Sequence, residues 1–334
     1  MKKLLASTVF AAGMFALAGS ANAAECGPIM IANMNWQSAE VFASIDSIIL
    51  KEGYGCQTEI VAGDTLPTFT SMNEKGQPDF ASEMWINAVR EPLDAAVKEG
   101  KLTLIGKPLP DGAGESWFIP KFIADAHPEI KTVADALARP DLFPSPDDAS
   151  KGAVYNCPAG WGCQISTGNL FRAFKAADKG FVLVDTGSAA GLDGSIAKAN
   201  EQKKGWLGYY WYPTSLLNNY PMVAISNGVE HDKVMWDTCI MKGDECADPK
   251  PTNWPVTEVY TVAVKDLADR APVVADYLSK RAVSGKDIQA LMAWMTANQA
   301  TGEDGAKHFL KENAAVWSAW VSPEAAEKIK ASMM

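Results

Sequence analysis

Strand-length apolar runs alternate with helical patterns that stop at glycine, and this alternation constrains the fold more than any other feature of the chain. Residues 29–34 read as a strand and 39–52 as a helix ended by Gly53. A strand at 58–62, a helix through Phe69 and Met72 ended by Gly76, a strand at 80–84 and a helix at 91–99 ended by Gly100 follow. Such alternation means βαβ units and a largely parallel sheet. It resumes with strands at 117–123 and 153–156, a helix at 165–177, a strand at 181–184, a helix at 195–203 and the aromatic strand 206–213. Residues 256–264 read as a further strand, and the chain from Leu267 onward is mostly helical. In open α/β sheets ligands bind beyond the carboxyl ends of strands. Trp36 and Trp85 each fall just after one.

The first residues, MKKLLASTVFAAGMFALAGSANA, have two lysines, a short apolar run and small residues at Ala21 and Ala23. That pattern is a secretory signal peptide over residues 1–23, so the expected location is the periplasm. Residues 24–334 exceed the roughly 250 to 300 at which one core stops growing, which predicts two lobes. The six cysteines all lie in this part, and an even number in an exported chain argues for disulfides. Proximity in sequence favours Cys157 with Cys163 and Cys239 with Cys246, leaving Cys26 with Cys56. A formal charge of −10 disfavours nucleic acid and anionic membrane surfaces as partners.

Trp36, Trp85, Trp117, Trp161 and Trp211 all sit at expected strand ends or on tight loops, where a side chain points into a cleft more readily than into a helix-packed core. Converging indole faces attract a poorly hydrated cation, each contact contributing about 0.5 to 2 kcal/mol when desolvated. Quaternary ammonium groups are the usual guest. Trp294, Trp317 and Trp320, at helical spacing, read instead as core.

The loop NCPAGWGCQ (156–164), with MWINAVREPLDAAV around Trp85 and YYWYPTSLL around Trp211, resembles the periplasmic glycine betaine/proline betaine-binding proteins of ABC importers. The likeness extends over almost all of the chain after the signal peptide. It implies a two-lobed type II binding-protein fold of α/β class, with parallel-rich sheets and a hinge. The implied division is residues 24–112 plus 214–334 as a discontinuous lobe I, and 113–213 as lobe II. By the same resemblance Trp85, Trp161 and Trp211 box a trimethylammonium head, while the amides of Gly162 and Cys163 hold the ligand's carboxylate. The amides also have a reason of their own, since exposed N–H groups at a helix start favour an anion. A membrane permease is the implied partner, no cofactor is expected, and the protein is expected to be a monomer.

Two departures bear on the ligand. Val89 stands where betaine binders carry a histidine that helps to hold the carboxylate, and Ser38 stands where choline binders place an aspartate for the hydroxyl. Glu115, two residues before Trp117, would repel a carboxylate but tolerate a ligand with no full negative charge. Trp36, Glu115 and the cysteine loop together are similar to binders of trimethylamine N-oxide, so that compound is favoured, with choline and glycine betaine next. The acidic stretch 237–248 offers Asp237, Asp244, Glu245 and Asp248 as weak metal candidates, but their order matches no EF-hand, and a solvated loop is the expected reading. No serine-hydrolase, zincin or phosphate-loop motif appears, so no enzyme activity is expected. The rival readings are a secreted cysteine-dependent enzyme, which needs a free thiol, and a scaffold that binds no small ligand.

Overall fold

The chain builds two five-stranded sheets, each covered by helices. A computed structural model describes residues 26–334; the expected signal peptide, residues 1–23, lies outside the described residues. Strands β1 (Pro28–Met34), β2 (Gln57–Gly63), β3 (Phe80–Trp85) and β4 (Leu102–Gly106) form the first sheet with β10 (Val259–Val264), in the order β2-β1-β3-β10-β4. Strands β5 (Gly114–Pro120), β6 (Gly152–Tyr155), β7 (Phe181–Val184), β8 (Gly208–Tyr212) and β9 (Met222–Ile225) form the second, in the order β7-β6-β8-β5-β9. Each sheet has a parallel core, β2-β1-β3 in one and β7-β6-β8 in the other. Each is extended by antiparallel strands, β10 and β4 in one and β5 and β9 in the other.

The chain passes from the first sheet to the second between β4 and β5 and returns between β9 and β10. The two crossing segments pair through an antiparallel bridge, Ala113 with Thr257, which ties them at the junction of the lobes. Here the expected division needs correction. Residue 214 does not mark a return to the first lobe, because β9 continues antiparallel along β5, Trp117 facing Ile225 in register. Asn169, on the second-lobe helix Gly162–Ala173, also donates to the carbonyls of Cys239 and Ile240 at 3.2 and 2.8 Å. The acidic cysteine loop therefore packs with the second lobe too.

The helix after β1, Gln37–Ile48, packs between the first sheet and later helices and buries Val41, Phe42 and Ile45. The helix Gly302–Glu312 crosses it closely: a Cβ on Gly305 would stand 3.1 Å from Val41 Cγ2 and 2.6 Å from Met295 Sδ. A buried ion pair pins the C-terminal helices to the same core. Arg281 Nε lies 2.9 Å from Asp46 Oδ1 with both side chains fully buried, and Tyr277 Oη donates to that oxygen at 2.6 Å. Breaking such a pair from one side costs about 3 to 5 kcal/mol, because the partner charge is left buried.

Three disulfides are present: Cys26–Cys56, Cys157–Cys163 and Cys239–Cys246. The first ties the start of β1 to the start of β2. No cysteine among the described residues is left as a thiol.

Candidate functional site

Four tryptophans converge where the lobes meet. Trp36 follows β1 in extended backbone and opens the helix Gln37–Ile48; Trp85 is the last residue of β3. Both stand at carboxyl ends of parallel strands in the first sheet, as a ligand site in such a sheet requires. From the second lobe, Glu115 on β5 and Trp211 on β8 face each other in register. Trp161 sits on the cysteine loop just before the helix Gly162–Ala173. Trp161 makes edge-to-face contacts with Trp36 on one side and Trp211 on the other, at 5.2 and 5.1 Å between ring centroids. All four indoles are at most 8 % exposed, and with Glu115, Thr65, Ala88, Gly162, Cys163 and Tyr209 they enclose a cavity of about 30 Å³. That is about two to three times the space one water needs, room for a compact group and not for a long chain.

Hydrogen bonds hold these rings from outside the cavity. Glu83 Oε1 accepts the indole N–H of Trp36 at 2.7 Å and of Trp85 at 2.9 Å. Trp161 Nε1 donates across the lobe boundary to Asn35 Oδ1 at 2.6 Å and Asp64 Oδ1 at 3.1 Å. The amide of Leu66 donates to the carbonyl of Gly160 at 3.1 Å, so backbone also joins the lobes here.

Glycine is required on this loop. Gly160 has φ +88°, and a Cβ on Gly162 would lie 2.1 Å from the Cβ of Ala88 in the opposite lobe. The close approach brings the first turn of the helix Gly162–Ala173, whose N–H groups lack intrahelical acceptors, to the cavity wall.

Glu115 supplies the cavity's ionisable group. Burial pushes its carboxyl up to about 7, against the smaller opposing effect of Tyr209 Oη, which donates to it at 2.9 Å. Near neutral pH it therefore exists both as a hydrogen-bond donor and as an anion, depending on conditions.

A two-lobed fold with aromatic rings in its cleft invites comparison with known proteins. The OpuAC family, the substrate-binding domain of ABC-type glycine betaine transport systems, matches residues 27–312. The chain belongs to this family. A trimethylamine N-oxide-binding protein of Pelagibacter ubique (strain HTCC1062) is 24 % identical over 324 residues, covering 95 % of this chain and 99 % of that one. Among solved structures, an ABC-transporter choline-binding protein in complex with choline superposes with a TM-score of 0.73 at 18 % identity, covering 92 % of this chain and 99 % of that one. Lactococcal OpuAC, closed on glycine betaine, gives 0.66 at 20 % identity, covering 88 % and 99 %. At these identities the two structures establish the fold. Members of this family are the substrate-binding components of transporters.

Of the residues singled out by sequence, Trp36, Trp85, Glu115, Trp161, Gly162, Cys163 and Trp211 share this one cavity. Trp117 does not line it. Its ring is 1 % exposed and packs 6.2 Å from Phe174 inside the second lobe. Glu115 and Trp117 share a face of β5, but two residues along a strand is about 7 Å, enough to carry Trp117 from the cavity wall into the core. In the acidic stretch, Asp237 pairs with Lys233 and Asp248 with Lys250, while the side chain of Asp244 lies outside the described residues. Among the described residues, no group of three or more His, Cys, Asp or Glu is arranged to hold a metal ion.

Sequence reading missed Glu83, Tyr209, Asp64 and Asn35. The first two had a signal, since each stands two residues before a cavity-lining tryptophan on a strand and so shares its face. Asp64 and Asn35 had none, because their partner Trp161 is remote in sequence and belongs to the other lobe.

Proposed function

We propose that the protein is the periplasmic component of an ABC importer that closes two lobes on a small trimethylammonium compound, with trimethylamine N-oxide the favoured ligand. The observation that carries this reading is the enclosure itself: four indoles, two from each lobe, around a cavity sized for a compact cation. Methyl groups make such a cation inexpensive to desolvate, and the aromatic faces attract its charge. The ligand's oxygen is held by hydrogen-bond donors on the cavity wall, the first-turn amides of Gly162 and Cys163 and the Glu115 carboxyl while it keeps its proton. No bond in the ligand is made or broken. Closure presents the protein to the permease.

Glu115 favours the N-oxide over glycine betaine. An enclosed carboxyl with a pKa of about 7 opposes a full carboxylate, whereas its protonated form donates to an N-oxide oxygen one bond from the cationic nitrogen. The relative from Pelagibacter ubique supports the same choice by its name. Choline is the second reading, supported by the ionised form of Glu115, which attracts a cation that carries no anionic oxygen. Trimethylamine N-oxide has only five heavy atoms, so a ceiling of about 1.5 kcal/mol per atom gives about 7.5 kcal/mol, or micromolar binding at best. Calorimetry against trimethylamine N-oxide, choline, glycine betaine and trimethylamine tests the reading. Micromolar binding of the N-oxide is expected; no binding by any of the four contradicts it.

A further inference from the structure

We propose that Glu83 is a positioning residue for the ligand, fixing the ring planes of Trp36 and Trp85 through one carboxylate oxygen. Strand β3, FASEMW, is buried at every position, and a fully buried glutamate in such a strand needs compensation. Oε1 supplies it by accepting three bonds: from the indole N–H of Trp36 at 2.7 Å, the indole N–H of Trp85 at 2.9 Å and Ser38 Oγ at 3.0 Å.

An indole has one N–H, and anchoring it to a fixed point removes rotation of the ring about its stem. Trp36 follows β1 and Trp85 ends β3, so one shared acceptor also fixes each ring relative to the other. The strand that carries Glu83 is itself held, because the backbone carbonyl of Ser82 accepts from Arg281 Nη2 at 2.8 Å. Three donors converge on Oε1, and Oε2 has no partner. Burial pushes the carboxyl above its ordinary value, and the bonds from Trp85, Trp36 and Ser38 oppose that rise only in part; Oε1 accepts from the two indoles in either protonation state. A polarised N–H edge increases the negative density of the ring face, which is the face offered to a cation.

The role assigned to Glu83 rests on the aromatic-cage reading, so the test separates the two. Indole N–H resonances are recorded on nitrogen-15-labelled protein, with Trp36→Phe and Trp85→Phe supplying the assignments, and tetramethylammonium is titrated by calorimetry. In Glu83→Gln, which replaces the carboxyl that both indoles share by an amide, the Trp36 and Trp85 resonances are expected to move together. The Trp211 resonance is expected to stay in place, and affinity to fall about tenfold. In the unmodified protein the same two indole protons are expected to be the slowest cage indoles to exchange with solvent, a result that needs no variant to fold. Unshifted resonances in Glu83→Gln, fast exchange in the unmodified protein, or affinity within twofold overturns the role of Glu83 alone. Failure of the unmodified protein to bind tetramethylammonium overturns the cage reading, while the resonances still decide whether Glu83 holds the rings.

Discussion

The two halves of the tryptophan cluster are held in different ways. Trp36 and Trp85 are anchored inside their own lobe, on a carboxylate buried in the strand that carries one of them. Trp161 is anchored on the opposite lobe, through Asn35 and Asp64. The first half can keep its shape when the lobes part, whereas the second is completed only when they meet. On the proposed function, one wall is preorganised and the other reports closure, the division of labour a hinge-closing binder needs.

If that contrast is right, removing a ring from the closing wall costs most. Trp211→Ala deletes a nearly buried indole that contacts Trp161 at 5.1 Å, and the loss is expected to be about 3 kcal/mol, roughly a hundredfold in Kd for trimethylamine N-oxide. Calorimetry giving a Kd within twofold of the unmodified protein would break the cage as drawn. Next comes Gly162→Ala, whose added methyl would meet Ala88 across the boundary and prop the lobes apart. About 2 kcal/mol, some thirtyfold, is expected in Kd, with small-angle scattering of the ligand-loaded protein showing a larger radius. Unchanged scattering and affinity would mean that the lobes do not close at this contact.

Asp64→Ala removes one of the two acceptors of Trp161 and leaves Asn35, so a smaller loss of about 1 kcal/mol, roughly fivefold, is expected. The comparison sharpens in the kinetics: an interaction made on closure should raise the dissociation rate measured by stopped-flow tryptophan fluorescence. A lower association rate with unchanged dissociation would place Asp64 outside the closing step.

Local pattern made part of this legible from the amino-acid order. Gly76, at φ +65°, ends the helix Thr65–Lys75 as a glycine after a helical pattern should. The parallel strands, with their apolar runs, were likewise readable. Strands β4 and β9 were not read; both are antiparallel edges that lie outside the βαβ alternation, whereas the parallel edges β2 and β7 belong to it and were read. The same limit explains the site. The strand-end tryptophans were visible because topology sends strand ends to the cleft. Trp117 resembled them, yet depth along β5 separates it from Glu115, and one sequence does not show where a strand enters its core. Partners across the lobes, Asn35 and Asp64 for Trp161, have no periodicity to reveal them.

In the proposed trimethylammonium cage, the contact to the ligand's oxygen depends on the proton of Glu115. Burial holds that proton up to about pH 7, so the donor form predominates below this pH and the anion above it. The direct measurement is calorimetry of trimethylamine N-oxide and choline at about pH 6 and about pH 8, in the unmodified protein and in Glu115→Gln. N-oxide affinity should fall about tenfold as pH rises, while choline affinity rises, and both trends should vanish in Glu115→Gln. Flat profiles for both ligands in the unmodified protein, or N-oxide binding that strengthens with pH, would contradict the account.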